Sequence, residues 1–267
     1  MKLRVLYGIA FFVNTAFTIP MYFALATDTE HFHLAVDLIK SIKETNNNSL
    51  VEIAVFDIGL QEKERNYLYQ QEKVRLVPIE ITHPDLTKKF KVRPDGRLAR
   101  GWYAWKPVAL KQALDMYPYV FYLDSGMRVV GDMTLIFQLI QQEGYLLVES
   151  HEIRGMTTEK VRKLFNLEKS DRLLDAMGIS AGVQGLTRAM YDSYIFPIYK
   201  LTFDFHWFED DGTAPWGFGG GRHDQTIFSI MVQKLGLRIT SLGKTSVVLN
   251  GKKIPFYYRN YWIFKAA

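Results

Sequence analysis

The chain has 267 residues, 48% of them hydrophobic and 23% charged, and a net charge of +5. That is enough for one large α/β domain or two small ones, and it excludes a disordered or fibrous protein. With no cysteine in the chain, disulfides, thiolate nucleophiles and cysteine-based zinc sites are excluded as well.

The N-terminus is basic at Lys2 and Arg4 and then carries no charge until Asp28. The apolar run 5–20 reads as a signal peptide or short signal anchor, with a buried first element of the fold as the alternative. Residues 1–20 are therefore set apart from a single domain over 21–267. Membrane association or entry into the secretory pathway is expected, with a cytoplasmic location as the alternative.

After Pro20 short apolar runs alternate with amphipathic stretches. Residues 22–26 read as a strand, and Thr27 with Glu30 as a capping box. The helix predicted over 29–45 repeats Phe32, Val36, Ile39 and Ile42 on one face. A strand over 51–56 ends in Asp57, a polar helix follows over 61–71, and a third strand covers 74–79. Between Pro84 and Gln112 lie eight basic residues (Lys88, Lys89, Lys91, Arg93, Arg97, Arg100, Lys106 and Lys111) opposed only by Asp85 and Asp95. This stretch reads as a loop. A helix over 106–116 has Pro107 in its first turn, where the missing N–H costs nothing.

Tyr119–Leu123 is a hydrophobic strand leading into Asp124-Ser125-Gly126. A short extended piece at 127–130, a helix at 134–141 and a strand at 145–149 follow. The second half is less regular: short helices at 160–165 and 171–177, a short strand at 183–186, a loop over 209–221 with three adjacent glycines, and a helix over 223–235. Strands separated by helices imply βαβ units and a mostly parallel sheet covered on both faces. In such sheets ligands bind beyond the carboxyl ends of the strands, which singles out Thr27, Asp28, Asp57, Asp124 and Ser125.

Several familiar motifs fail. Gly243-Lys244-Thr245 lacks the upstream glycine of a phosphate-binding loop, and the glycines at 217–221 lack the last glycine of a dinucleotide fingerprint. No Gly-x-Ser-x-Gly elbow is present. His31 and His33, two residues apart on a helix, diverge and are poor metal partners for one another.

Residues 103–128, YAWKPVALKQALDMYPYVFYLDSGMR, resemble glycosyltransferases of the GT-A fold, in the group with a Trp-Lys-Pro segment, a helix and a hydrophobic strand ending in an Asp-containing turn. Ser180-Ala181-Gly182-Val183-Gln184-Gly185 is similar to that family's small-residue strand entry, and Arg222-His223-Asp224-Gln225 to its Asp-Gln helix start. The resemblance covers roughly residues 21–240. It implies a three-layer α/β/α fold with a mostly parallel mixed sheet, and transfer of a sugar from a nucleotide-sugar donor to a hydroxyl of a glycan, lipid or protein.

In the family an Asp-x-Asp motif holds a divalent metal. Here Asp124 supplies one carboxylate and Gly126 stands at the second position. Mn2+ or Mg2+ on Asp124 and His223 is one expectation, with Asp224 or His151 as other sources of the missing ligand. Replacement of the metal by cations of the basic stretch is the alternative. Asp224 and Asp124 are the candidate catalytic residues, Asp224 as the base if the reaction inverts configuration. Thr27, Asp28, Asp57, Lys106, Ser125, Gly182, Gln184 and Gln225 are the candidate substrate contacts. Trp102, Trp105 and Trp216 are read first as core, with sugar stacking as the alternative. A second reading of the whole is a non-catalytic GT-A-like protein that binds a glycan or nucleotide. A third is nucleic-acid or anionic-membrane binding through the basic stretch, but no known nucleic-acid motif is present and no nucleic-acid partner is expected.

Overall fold

The computed structural model describes residues 19–243, together with 246–249, 252–255 and 257–259. Most of the expected signal or anchor segment, residues 1–18, lies outside the described residues. Among the described residues no helix is long and apolar enough to cross a membrane.

The order of elements is β1 (Met21–Thr27), α1 (Phe32–Asn46), β2 (Leu50–Asp57), α2 (Glu62–Tyr69), β3 (Val74–Pro78), β4 (Lys89–Lys91), β5 (Leu98–Arg100), α3 (Trp105–Met116), β6 (Tyr119–Leu123), β7 (Met127–Val129), α4 (Thr134–Glu143), β8 (Tyr145–Glu152), α5 (Ile153–Met156), α6 (Glu159–Leu164), β9 (Met177–Thr187), α7 (Phe196–Leu201) and α8 (His223–Lys234). Six strands form one sheet in the order β3-β2-β1-β6-β9-β8. β3, β2, β1 and β6 run parallel, and β9 runs antiparallel to both β6 and β8. The sheet is therefore mixed and mostly parallel, as expected.

Alternation along the strands builds a core on each face. Phe23, Leu25 and Phe121 point to one face and pack with Leu38 and Ile42 of α1 and Phe137 of α4. Ala24, Ala26 and Tyr122 point to the other and pack with Val108 and Leu110 of α3 and Phe228 of α8. The strands are apolar on both faces because helices cover both.

Four sequence readings change. Thr27 is still in β1 and its hydroxyl donates to the Asp28 carbonyl, so it cannot cap a helix that starts at Phe32. The Asp28 carboxylate accepts from the His31 N–H at 3.1 Å in the turn before the helix, whose first turn has no side-chain cap. The basic stretch is a hairpin rather than a loop: β4 pairs antiparallel with β5. The strand expected at 183–186 is the end of the eleven-residue β9, and the helix expected at 171–177 is a single 3-10 turn over Arg172–Asp175.

Candidate active site

The carboxyl ends of β1 and β6 open into a cavity of about 320 Å³. Asp124 follows β6 directly. Its N–H donates to the Gly182 carbonyl at 2.9 Å, and its own carbonyl accepts from the Met127 N–H at 2.9 Å. The turn is fixed from both sides, and the side chain is 41% exposed towards the cavity. Its Oδ1 accepts from the Tyr122 hydroxyl at 2.9 Å. A Cβ on Gly182 would lie 2.3 Å from Asp124 Oδ2, so any side chain there would displace the carboxylate. Ser125 is buried and donates to the Ala26 carbonyl at 2.6 Å, tying the turn to the end of β1.

Lys106, in the first turn of α3, is the centre of the site. Its Nζ lies 3.0 Å from Asp124 Oδ1 and 3.2 Å from Asp224 Oδ2. The rings of Tyr103, Trp105 and Tyr122 stand around it, with centroids 5.9, 5.5 and 5.6 Å away. Burial works to strip the ammonium of its proton, but the two carboxylates outweigh it and hold Lys106 above its ordinary range. Asp224, in the first turn of α8, is buried. Its Oδ2 has no well-aligned hydrogen-bond donor among the described residues, so its contact with Lys106 is an ion pair. Burial pushes the Asp224 carboxyl up to about 6 against the opposing pull of Lys106, and the charge of Asp124 adds to the rise.

Backbone strain is concentrated on the same residues. Gly101, Trp102 and Tyr103, just ahead of α3, have φ of 53°, 49° and 64°, and His223, at the start of α8, has φ of 47°. Such φ values cost a non-glycine residue on the order of 1–3 kcal/mol each. The strained segments pack together: the His223 ring lies 5.1 Å from that of Trp102 and 5.4 Å from that of Tyr103. His223 Nδ1 faces the Phe208 carbonyl at 2.9 Å, so Nδ1 carries the hydrogen and Nε2 the lone pair. Burial pulls His223 down to about 4.

The basic hairpin forms the opposite wall, where Lys89, Arg93, Arg97 and Arg100 line the cavity. Arg100 Nε donates to Asp28 Oδ2 at 2.8 Å, Lys89 pairs with Glu30, and His31 Nδ1 meets Asp28 Oδ1 at 2.7 Å. Burial raises the Asp28 carboxyl, but His31 and Arg100 outweigh it and hold it down at about 2. Gly59 makes room for the arginine, since a Cβ there would lie 2.5 Å from the Arg100 guanidinium carbon.

Of the candidate residues, Thr27, Asp28, Lys106, Asp124, Ser125, Gly182, His223, Asp224 and Gln225 all line the cavity. Asp57 and Gln184 do not. Asp57 Oδ1 accepts from the Gly59 and Leu60 N–H groups, both at 2.8 Å, and its Oδ2 from Arg65 Nε at 2.6 Å, so it closes a turn. Gln184 is fully buried, accepting from the Tyr194 hydroxyl at 2.9 Å and donating to the Ala181 carbonyl. Among the described residues no group of three close ligand-type side chains includes Asp124 or His223, the pair expected to hold a metal. The group that does form is Asp28, Glu30 and His31, with one ligand atom each within 4.8 Å of one another. Two carboxylates and an imidazole suit Mn2+ or Mg2+ by ligand type.

Sequence reasoning missed Tyr122 and the strained Gly101–Tyr103 turn. A glycine followed by three aromatics and an alanine before Lys106 was the one signal available for the latter.

No protein-family model and no curated protein matches the chain. Solved structures similar to it include glycosyltransferases. A galactosyltransferase, LgtC, in complex with donor and acceptor sugar analogues shares 14% identity at a TM-score of 0.44, over 69% of this chain and 63% of that one. This chain thus spans less than two thirds of that enzyme's length. Mouse xyloside xylosyltransferase 1 in its apo form shares 16% identity at 0.49, over 84% and 85%. Core-mannan synthase A of Aspergillus fumigatus in a Mn/GDP form shares 11% at 0.49, over 79% and 69%.

Proposed function

We propose that this chain is a glycosyltransferase that moves a sugar from a nucleotide-sugar donor to a hydroxyl of a glycan, lipid or protein. The observation that carries the reading is Lys106 held between Asp124 and Asp224 at the ends of the strands, opposite a wall of Lys89, Arg93 and Arg97. Such a cavity has two chemically different sides: a cationic side suited to a diphosphate, and a carboxylate side suited to a sugar and its acceptor.

In the reaction the bond between the anomeric carbon and the diphosphate oxygen breaks, and a bond from that carbon to the acceptor oxygen forms. The leaving diphosphate gains negative charge, which the guanidinium group of Arg97 stabilises in a forked contact. The acceptor hydroxyl loses its proton to Asp224. Raised to about 6, that carboxyl is ionised at neutral pH yet more basic than an ordinary aspartate. Asp124, the more exposed carboxylate, faces the transferred sugar, and Lys106 and Tyr122 fix its oxygens there. A Mn2+ or Mg2+ ion would be held by Asp28, Glu30 and His31, where it would supply further positive charge for the diphosphate. The strain in Gly101–Tyr103 places Lys106, since α3 starts immediately after it.

The test is incubation of the full chain with a panel of nucleotide sugars, with and without Mn2+, and detection of free nucleoside diphosphate by mass spectrometry. At least one donor is expected to be cleaved, with Asp124→Ala slowing cleavage by ~10³-fold. No cleavage and no thermal stabilisation by any donor would overturn the reading. We also propose a membrane or secretory-pathway location, on the strength of the apolar run 5–20. Recovery of the tagged chain in the cytosolic fraction would contradict it.

A further inference from the structure

Beside the cavity lies an open groove lined by Arg93, Pro94, Trp216, Phe218 and Arg222. Arg93, Gly219 and Arg222 line both spaces, so the groove continues the cavity outward. Trp216 is 49% exposed and Phe218 36%. Part of each ring stays open to solvent, and adjacent part-exposed aromatics beside a cavity point to a ligand.

The loop that carries them is built rather than slack. The buried Asp210 carboxylate accepts from the N–H groups of Gly212, Gly219 and Gly221 at 2.9, 2.7 and 3.2 Å, drawing the loop around one anion. The Trp216 N–H donates to the Gly155 carbonyl at 3.1 Å. The indole lies against Gly155, where a Cβ would come within 2.1 Å of the ring, and the His151 ring meets it edge-on at 5.8 Å. The Phe218 ring packs edge-on against Trp102 at 6.5 Å. Both aromatics are therefore held in place before any ligand arrives, which removes much of the ordering cost of binding.

The chemistry of the groove selects its occupant. A pyranose has an apolar C–H face that stacks on an indole. Among the described residues two guanidinium-bearing side chains and no carboxylate line the groove, and a planar carboxylate matches the guanidinium fork. We infer that the groove binds the acceptor, and that the acceptor is a carbohydrate chain bearing carboxylate groups, its terminal sugar reaching the cavity through the shared wall of Arg93 and Arg222. This rests on the glycosyltransferase reading, because it treats the cavity as the donor site.

The test is calorimetric titration of the full chain with trigalacturonic acid, with the neutral galactotriose, and with a sulfated disaccharide, each in the presence and absence of UDP and GDP. The uronate is expected to bind at least about tenfold tighter than the other two, and Trp216→Ala to weaken it by about tenfold. Nucleoside diphosphate binding should be the same in that variant, which shows that it folds. Equal binding of charged and neutral sugars, tighter binding of the sulfated sugar, or uronate binding unaffected by Trp216→Ala would overturn the inference. Absence of binding by either diphosphate would instead remove the function on which it rests.

Discussion

Asp57 and Asp124 hold equivalent places, each just at the end of a buried parallel strand on the ligand side of the sheet. Their fates are opposite. Asp57 turns back onto its own chain, where two N–H groups and Arg65 use both its oxygens. Asp124 is turned outward by Gly182 and Tyr122 and meets a lysine from α3 that is shared with α8. An aspartate at a strand end is thus a site or a turn according to the partners that distant segments bring to it.

The largest effect that would break this contrast comes from Lys106. In Lys106→Met the buried Asp224 loses its counter-charge, which costs ~3–5 kcal/mol of stability by the general behaviour of buried pairs. Turnover should fall by ~10³-fold as Asp124 loses its position. Urea denaturation and donor cleavage measure the two; a variant with near-native turnover would mean that the ammonium only holds the fold together.

Gly182→Ala isolates the placement of Asp124. Its methyl would displace the carboxylate, and turnover should drop by ~10²-fold while the fold loses about 1–3 kcal/mol. A crystal structure of the variant with Asp124 unmoved would contradict this account of Gly182. On the cationic wall, Arg97→Gln should weaken nucleoside diphosphate binding by about tenfold and flatten its salt dependence. Equal affinities in both proteins at low salt would remove Arg97 from the donor site.

The smallest effect is on pH dependence, because two buried groups oppose each other. Asp224 is raised from 3.8 to about 6, so the stability it contributes is present below pH 4 and is lost as pH rises through 6. His223 is lowered from 6.5 to about 4, so its contribution is present above pH 6.5 and is lost as pH falls through 4. Each amounts to ~3 kcal/mol, and between pH 4 and 6 they largely cancel. In His223→Gln only the Asp224 effect remains, and stability should fall as pH rises from 4 to 6. A rise over that window would contradict the assignment. Turnover of the unaltered protein should climb through pH 6 as Asp224 ionises and becomes able to accept a proton.

The sheet's parallel half was legible in the sequence because its strands are apolar runs between amphipathic helices. The strand before Asp124 and the start of α8 at His223 were placed to within a residue. β9 was read as four residues because its first half, Met177-Gly178-Ile179-Ser180-Ala181, is mostly small and glycine-bearing, with Ile179 its one branched residue, which weakens the strand signal. The β4–β5 hairpin was hidden by its charge, since Lys89, Lys91 and Arg100 look like a solvated loop until Asp28 and Glu30 are seen beneath them. Lys106 was singled out through the Trp-Lys-Pro segment, but its bridge from Asp124 to Asp224 joins residues remote in the chain, and no local pattern encodes it. For the same reason only the family resemblance, and no local pattern, set Asp124 above Asp57.

The most direct measurement is therefore turnover of the best nucleotide-sugar donor by Asp124→Asn and Asp57→Asn side by side, with thermal unfolding as the control. The predicted result is a loss of ~10³-fold or more for Asp124→Asn with little change in stability. Asp57→Asn should keep turnover within about threefold of the unaltered protein and lose about 1 kcal/mol through its weakened turn. Equal losses of turnover, or the larger loss at Asp57, would contradict the placement of the reaction at Asp124, Lys106 and Asp224.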